Sequence, residues 1–232
     1  KPGTRVVYSD LGFIALGILL ERMTGHRLAD LAKKEIFEPL NLKQTFFNPE
    51  VALQTGIAAC ETGNAYEADM CKQMDAGVYA NSRQRLIWGE VHDGNAFFLG
   101  GAAGHAGLFS TARETFLLAQ QFLSESTTLL TPETCRMFRE NMTPELEEAR
   151  SIGWQLAATK DSTGGLDLPP DSFGHNGFTG TCVWIDPNHQ RIFILLTNRT
   201  HTHALPFVNI NAVRREFNSL AVLAADSRRP TT

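Results

Sequence analysis

The sequence predicts an α+β fold, an antiparallel sheet flanked by helices. Three observations lead there. Apolar runs of helical length open the chain. Short β-patterned runs come late, two of them joined by a tight turn. A segment of helical pattern then closes the chain.

The elements follow in order. After Tyr8, either Ser9 or Asp10 serves as the N-cap of a helix that runs to about Met23 and stops at Gly25. Its apolar stretch, LGFIALGILL (11–20), ends at Glu21-Arg22, about half of the roughly 20 residues a membrane span needs. It therefore reads as a buried core helix. A second helix near Leu28–Phe37 ends before Pro39. Residues 44–108, rich in Gly, Asn and Asp, are expected to be irregular, and so long an irregular stretch usually lines a site. Thr111-Ala112-Arg113-Glu114 has the form of a capping box opening the helix ETFLLAQQFLSE. Thr131-Pro132 opens another, with proline at the first helical position. Strands are expected at 152–158, 179–186 and 191–198, the last two joined by a turn at Asp186-Pro187-Asn188-His189. A closing helix covers Asn209–Ala224, and residues 1–232 are expected to form one domain.

With 232 residues, 43% of them hydrophobic, the chain can bury a substantial core. A net charge of −4 leaves no basic footprint for nucleic acid. Cys60, Cys71, Cys135 and Cys182 form no CxxC pair, which disfavours zinc. Either a Cys60–Cys71 disulfide or four separate buried thiols fits. The opening KPGTRVVYSD, with no methionine and no signal-peptide pattern, is expected to be the middle of a longer chain.

Reactive side chains collect in three places: Tyr8-Ser9-Asp10, the glycine-rich stretch with His92, Asp93 and His105, and His175-Asn176-Gly177, expected at the head of the strand that follows. Each has an ordinary reading as packing or turn chemistry. The Gly100–Gly104 run lacks the Lys and Ser/Thr of a phosphate loop. His92, Asp93, His105 and His175 make only a weak metallohydrolase pattern, without HExxH spacing.

Taken together, PGTRVVYSDLGFIALGILLERMTG, LGGAAGHAGLFSTARE and FGHNGFTGTCVWID resemble, in order, the later motifs of the penicillin-recognising serine hydrolases. The branch they resemble is the class C β-lactamase-like group, with its esterases and D-alanyl-D-alanine carboxypeptidases. That family uses Ser-x-x-Lys, Tyr-x-Asn, and Lys-Thr-Gly or His-x-Gly. Tyr8-Ser9-Asp10 matches the second element and His175-Asn176-Gly177 the third. The resemblance implies Tyr8 as general base and acid, His175 as the facing cation, and the backbone amide of Phe178 as an oxyanion donor. It places Asp10, Asn176, Gly177 and His105 along the substrate. It implies acyl-serine hydrolysis of an ester or D-Ala-D-Ala-type peptide, a periplasmic or secreted location, and neither a metal nor an organic cofactor.

Two departures qualify this. No serine in the chain has lysine three positions on, so the nucleophile segment and the N-terminal part of the fold are expected to lie outside it. This chain alone is then expected to be inactive, and to associate with itself or a companion chain that completes the fold. Asp10 also stands where asparagine is usual; an ionised aspartate accepts hydrogen bonds but donates none. A rival reading is a non-catalytic binding domain that keeps the cleft without the nucleophile.

Overall fold

The computed structural model describes residues 1, 3–77, 82–123, 127–201 and 203–227. The chain divides into two compact units. A helical unit comprises Tyr8–Glu114 and Asn198–Val208; a sheet unit comprises Lys1–Val7, Thr115–Thr197 and Asn209–Thr232.

The helical unit opens with α1, Asp10–Thr24. Ser9 is its N-cap, with the hydroxyl accepting from the Gly12 amide, and Gly25 ends it in the left-handed region at φ 71°. The expectation of a buried core helix fails: only Gly17 of α1 is buried, while Leu11 and Met23 are each 74% exposed. No other part of this unit covers those side chains, so the apolar composition exceeds what its neighbours bury. The second helix, α2 (Leu28–Ala32), continues as a π turn over Lys33–Phe37 and ends before Pro39, as expected. The described residues within 44–108 are less irregular than their composition suggests. They contain a 3₁₀ turn at Val51–Gly56 and two short helices, α3 (Ala65–Gln73) and α4 (Gly94–Phe98). The 198–208 strap belongs here: His201 Nδ1 lies 2.9 Å from the Cys60 carbonyl, and Phe207 stacks on Tyr66.

Helix α5, Ala112–Ala119, begins at Thr111, whose hydroxyl accepts from the Glu114 amide at 3.2 Å. Only half of the capping box forms, because the Glu114 carboxylate turns instead to Lys43, Gln44 and Thr45. A 3₁₀ turn at Gln120–Phe122 follows; the expected end of this helix, at Ser124-Glu125, lies outside the described residues.

In the sheet unit, α6 (Pro132–Met137) starts as expected at Thr131, which caps the Thr134 amide. Four antiparallel strands run in sequence order: β1 Gln155–Leu156, β2 Phe173–Asn176, β3 Cys182–Asp186 and β4 Arg191–Leu195. The Asp186 turn joins β3 to β4 as expected, its carboxylate accepting from the Asn188 and His189 amides. Strand alternation builds two cores. Phe173 and Ile185 pack with Leu156 and Leu123 on one face; Trp184, Cys182 and Phe193 pack on the other with Val222 of α7 (Asn211–Asp226). The α+β expectation therefore holds. All four thiols are free, but only Cys135 and Cys182 are fully buried.

Candidate active site

The motif His175-Asn176-Gly177 is placed differently from expectation. It does not sit at the head of β3: His175 and Asn176 end a strand of their own, β2. His175 faces Val183 and Asn176 faces Cys182 across the β2–β3 ladder. Successive side chains point to opposite faces of a sheet. His175 thus shares its face with Phe173, and Asn176 shares the α7 side with Trp184. The imidazole is half-buried, with Nδ1 2.9 Å from the Asn176 carbonyl oxygen. On the other face, the Asn176 side chain accepts the Thr163 hydroxyl at 2.9 Å, and buried Asn218 of α7 donates to the Thr163 carbonyl at 2.8 Å.

Small residues around the imidazole have steric causes. A Cβ at Gly174 would come 2.3 Å from the Val183 carbonyl oxygen and 2.5 Å from Cδ2 of Trp184, whose side chain is fully buried. A Cβ at Gly177 would strike the Thr181 hydroxyl. Beyond β2 the chain closes a tight turn, with the Gly177 amide donating to the Thr181 carbonyl at 2.8 Å and the Gly180 amide to the Gly177 carbonyl at 3.1 Å. Phe178 begins the arc of this turn. Gly180 sits at φ 119°, which a side chain would strain.

In the helical unit, Tyr8 immediately precedes the Ser9 cap and is exposed, its ring tilted 41° to Phe13 with centroids 6.2 Å apart. Asp10 occupies the first turn of α1, where a carboxylate favours the positive end of the helix dipole. His105 is not at a surface. Its side chain is 2% exposed, and Nε2 lies 2.9 Å from Asp93 Oδ1, the oxygen that also caps α4 through the Ala96 amide. His92 pairs with buried Glu61 at 2.8 Å. Arg83, also buried, donates to the Val91 and His92 carbonyls and lies 4.2 Å from the Phe97 ring centre. Burial pushes the nearby Glu67 carboxyl up, although the Gly94 amide and Asn64 bind it. These partners fasten the 82–107 stretch from within. Among the described residues, no group of three or more His, Cys, Asp or Glu side chains is placed to hold a metal ion.

The sequence profile of the beta-lactamase family matches residues 1–215. This chain belongs to the beta-lactamase family. The family chain is 35% identical, over 215 residues, to an Escherichia coli (strain K12) protein that carries the provisional name D-alanyl-D-alanine carboxypeptidase; the match covers 87% of this chain and 47% of that one. The chain spans about half the length of the curated relatives it matches. Among solved structures, a beta-lactamase from Mycobacterium bovis superposes with TM-score 0.64 at 18% identity, covering 97% of this chain and 66% of that one. An octameric penicillin-binding protein homologue from Pyrococcus abyssi gives 0.61 at 16%, covering 97% and 44%. At these identities the superpositions show the shared fold.

Residue patterns single out Tyr8 and His175 in this beta-lactamase-family chain as candidates, but Trp184, Thr163 and Asn218 behind the second motif went unnoticed. The signal available was on α7, where Arg214, Asn218 and Val222 recur at helical spacing on one buried stripe. Two polar residues on a core-facing stripe need partners.

Proposed function

We propose that the protein is a serine hydrolase that works through an acyl-serine on an ester or a D-Ala-D-Ala-type peptide. The observation that carries this reading is the end of β2: a half-buried imidazole on a strand packed against Trp184 at Gly174 and closed by the Gly177–Thr181 turn, in a beta-lactamase-family chain. The provisional carboxypeptidase name of the Escherichia coli relative supports the peptide alternative.

In this reading Tyr8 takes the proton of a serine hydroxyl as its oxygen attacks the substrate carbonyl carbon. The oxyanion accepts from the Phe178 amide and from the serine's own amide. Tyr8 then passes its proton to the leaving oxygen or nitrogen, and water attacks the acyl-serine by the same route in reverse. Preorganised oxyanion donors of this kind lower the barrier by about 3–4 kcal/mol. A phenol of ordinary pKa ~10 needs cationic neighbours to act as a base near neutral pH, and this reading assigns His175 to that role. Asp10, Asn176, Gly177 and His105 are assigned to substrate placement, the last three through the backbone they hold. The serine belongs to a Ser-x-x-Lys element outside these 232 residues, so the chain alone is inactive. Self-association or a companion chain covers the exposed apolar side chains of α1; the octameric neighbour supports this. Among the described residues, no helix is long and apolar enough to cross a membrane.

The test is intact-mass measurement after exposure to penicillin and to p-nitrophenyl esters. It is run on this chain and on the protein extended through its upstream coding sequence. The expected result is an adduct on a Ser-x-x-Lys serine of the longer protein and none on this chain. A covalent adduct on any serine of residues 1–232 overturns the assignment.

A further inference from the structure

Arg214 is 5% exposed and lies on α7, three residues into the helix from Asn211. Four hydrogen-bond acceptors are among the partners of its guanidinium. Nε donates to the Gly180 carbonyl at 3.1 Å and Nη1 to Asn211 Oδ1 at 2.9 Å. Nη2 donates to the Gly177 carbonyl at 2.7 Å and the Thr181 carbonyl at 3.0 Å. Three of the four acceptors are therefore backbone oxygens of the single turn that follows His175-Asn176.

One of those oxygens has a consequence for catalysis. A peptide unit is planar, and in the trans form its C=O and N–H point in opposite directions. Among the described residues the only cis bond is Leu205–Pro206, so the Gly177–Phe178 unit is trans. With the Gly177 oxygen drawn onto Arg214, the Phe178 N–H is turned to the side away from the guanidinium. The Gly180 amide also donates to the Gly177 oxygen, but it moves with the turn itself. Arg214 is anchored in a different element, a 16-residue helix packed on the sheet through Val222 and Phe217.

We propose that Arg214 is a positioning residue which, by holding the Gly177 carbonyl, sets the direction of the Phe178 amide. The catalytic value of that amide rests on the oxyanion role proposed above; the hold itself does not. A planar guanidinium presents five N–H groups in a fixed fork, which is why it can span three carbonyls of one turn. Lysine would offer a single charged point and reach fewer of them.

The experiment has a structural arm and a kinetic arm. In the first, ¹⁵N-labelled 232-residue chain is compared with Arg214→Lys and Arg214→Met by residual dipolar couplings and amide hydrogen exchange. Asn211→Ala, which removes only the Nη1 partner, is the milder variant should Arg214→Met fail to fold. The expected result is a changed coupling and faster exchange at Phe178 and Gly180, with the β3 and β4 amides unmoved. The order of effect is Met, then Lys, then Asn211→Ala. A Phe178 coupling unchanged in every folded variant overturns the proposal. In the second arm, the extended protein carrying the same substitutions is assayed for ester turnover. Loss of one oxyanion donor costs about 10²–10³ in kcat, so Arg214→Lys should lower kcat by part of that range with KM little changed. If Phe178 reorients while kcat stays at the wild-type value, the hold by Arg214 stands and the oxyanion role of Phe178 falls. A rise in KM alone would likewise count against that role.

Discussion

The Glu114 carboxylate accepts the Thr45 hydroxyl at 2.6 Å across 69 residues of sequence, and takes the Lys43 and Gln44 amides at 2.7 and 2.8 Å. Burial alone would raise this acid, but the three donors together with the Arg113 charge outweigh it and hold the carboxyl below the usual carboxylate range. The folded chain therefore binds fewer protons here than the unfolded one. Stability from this group is present above the unfolded value of about 4.3 and is lost as pH falls through the lower folded value. Glu114→Gln should cost about 1–3 kcal/mol at neutral pH. Its urea midpoint should also fall less steeply than the wild type's on acidification. Glu67, whose carboxyl is raised, works in the opposite direction but is common to both proteins. Parallel midpoint-against-pH curves would show that Glu114 does not titrate as described.

At Gly174 a methyl group has nowhere to go, since Trp184 and the Val183 carbonyl occupy the space. Gly174→Ala is expected to cost about 1–3 kcal/mol through overpacking. It should also shift the cross-peaks of His175 and Trp184 in NMR spectra. A variant with wild-type stability and unmoved His175 resonances would mean that β2 slides freely over the indole.

Tyr8→Phe in the extended protein should leave ligand affinity largely intact and reduce kcat by about 10²–10⁴, the usual contribution of a general acid–base group. The ring and its contact with Phe13 survive the change, so the loss belongs to proton transfer. Near-normal kcat would remove Tyr8 from the reaction.

The exposed apolar side chains of α1 should drive concentration-dependent association of this chain in sedimentation experiments. Leu11→Glu and Met23→Glu are expected to suppress it without lowering thermal stability, because neither side chain packs within its unit. A monodisperse monomer at all concentrations would contradict the assignment of this face to an interface.

Helix ends were legible because capping chemistry is local: Ser9, Gly25, Thr131 and Pro132 announce themselves in four or five letters. Strand β2 was not. Phe173-Gly174-His175-Asn176 contains two poor strand formers and no alternation, and it pairs because Gly174 lets the backbone rest on Trp184. The β1 pattern was legible but overlong. Past Leu156, Ala157 and Ala158 still donate to Ser172 and Pro170, but the Pro169-Pro170 segment cannot return the bonds a ladder needs. Helix α1 misled for a different reason: apolar composition states a need for a partner, not that these residues supply one. Tyr8 and His175, the residues assigned by the proposal, stand in short patterns, whereas Arg214 looks like any helix arginine until the turn it grips is known.

The glycine-rich loop meets α1 at Gly104, where no side chain intervenes. A Cβ there would fall on the Phe13 carbonyl, and one on Gly17 would lie 3.1 Å from the Gly104 nitrogen. At this point the two backbones meet directly, so the loop rests on α1 as closely as main chain allows. A single methyl group at Gly104 would force loop and helix apart, whereas the exposed positions of α1 can vary without disturbing the contact.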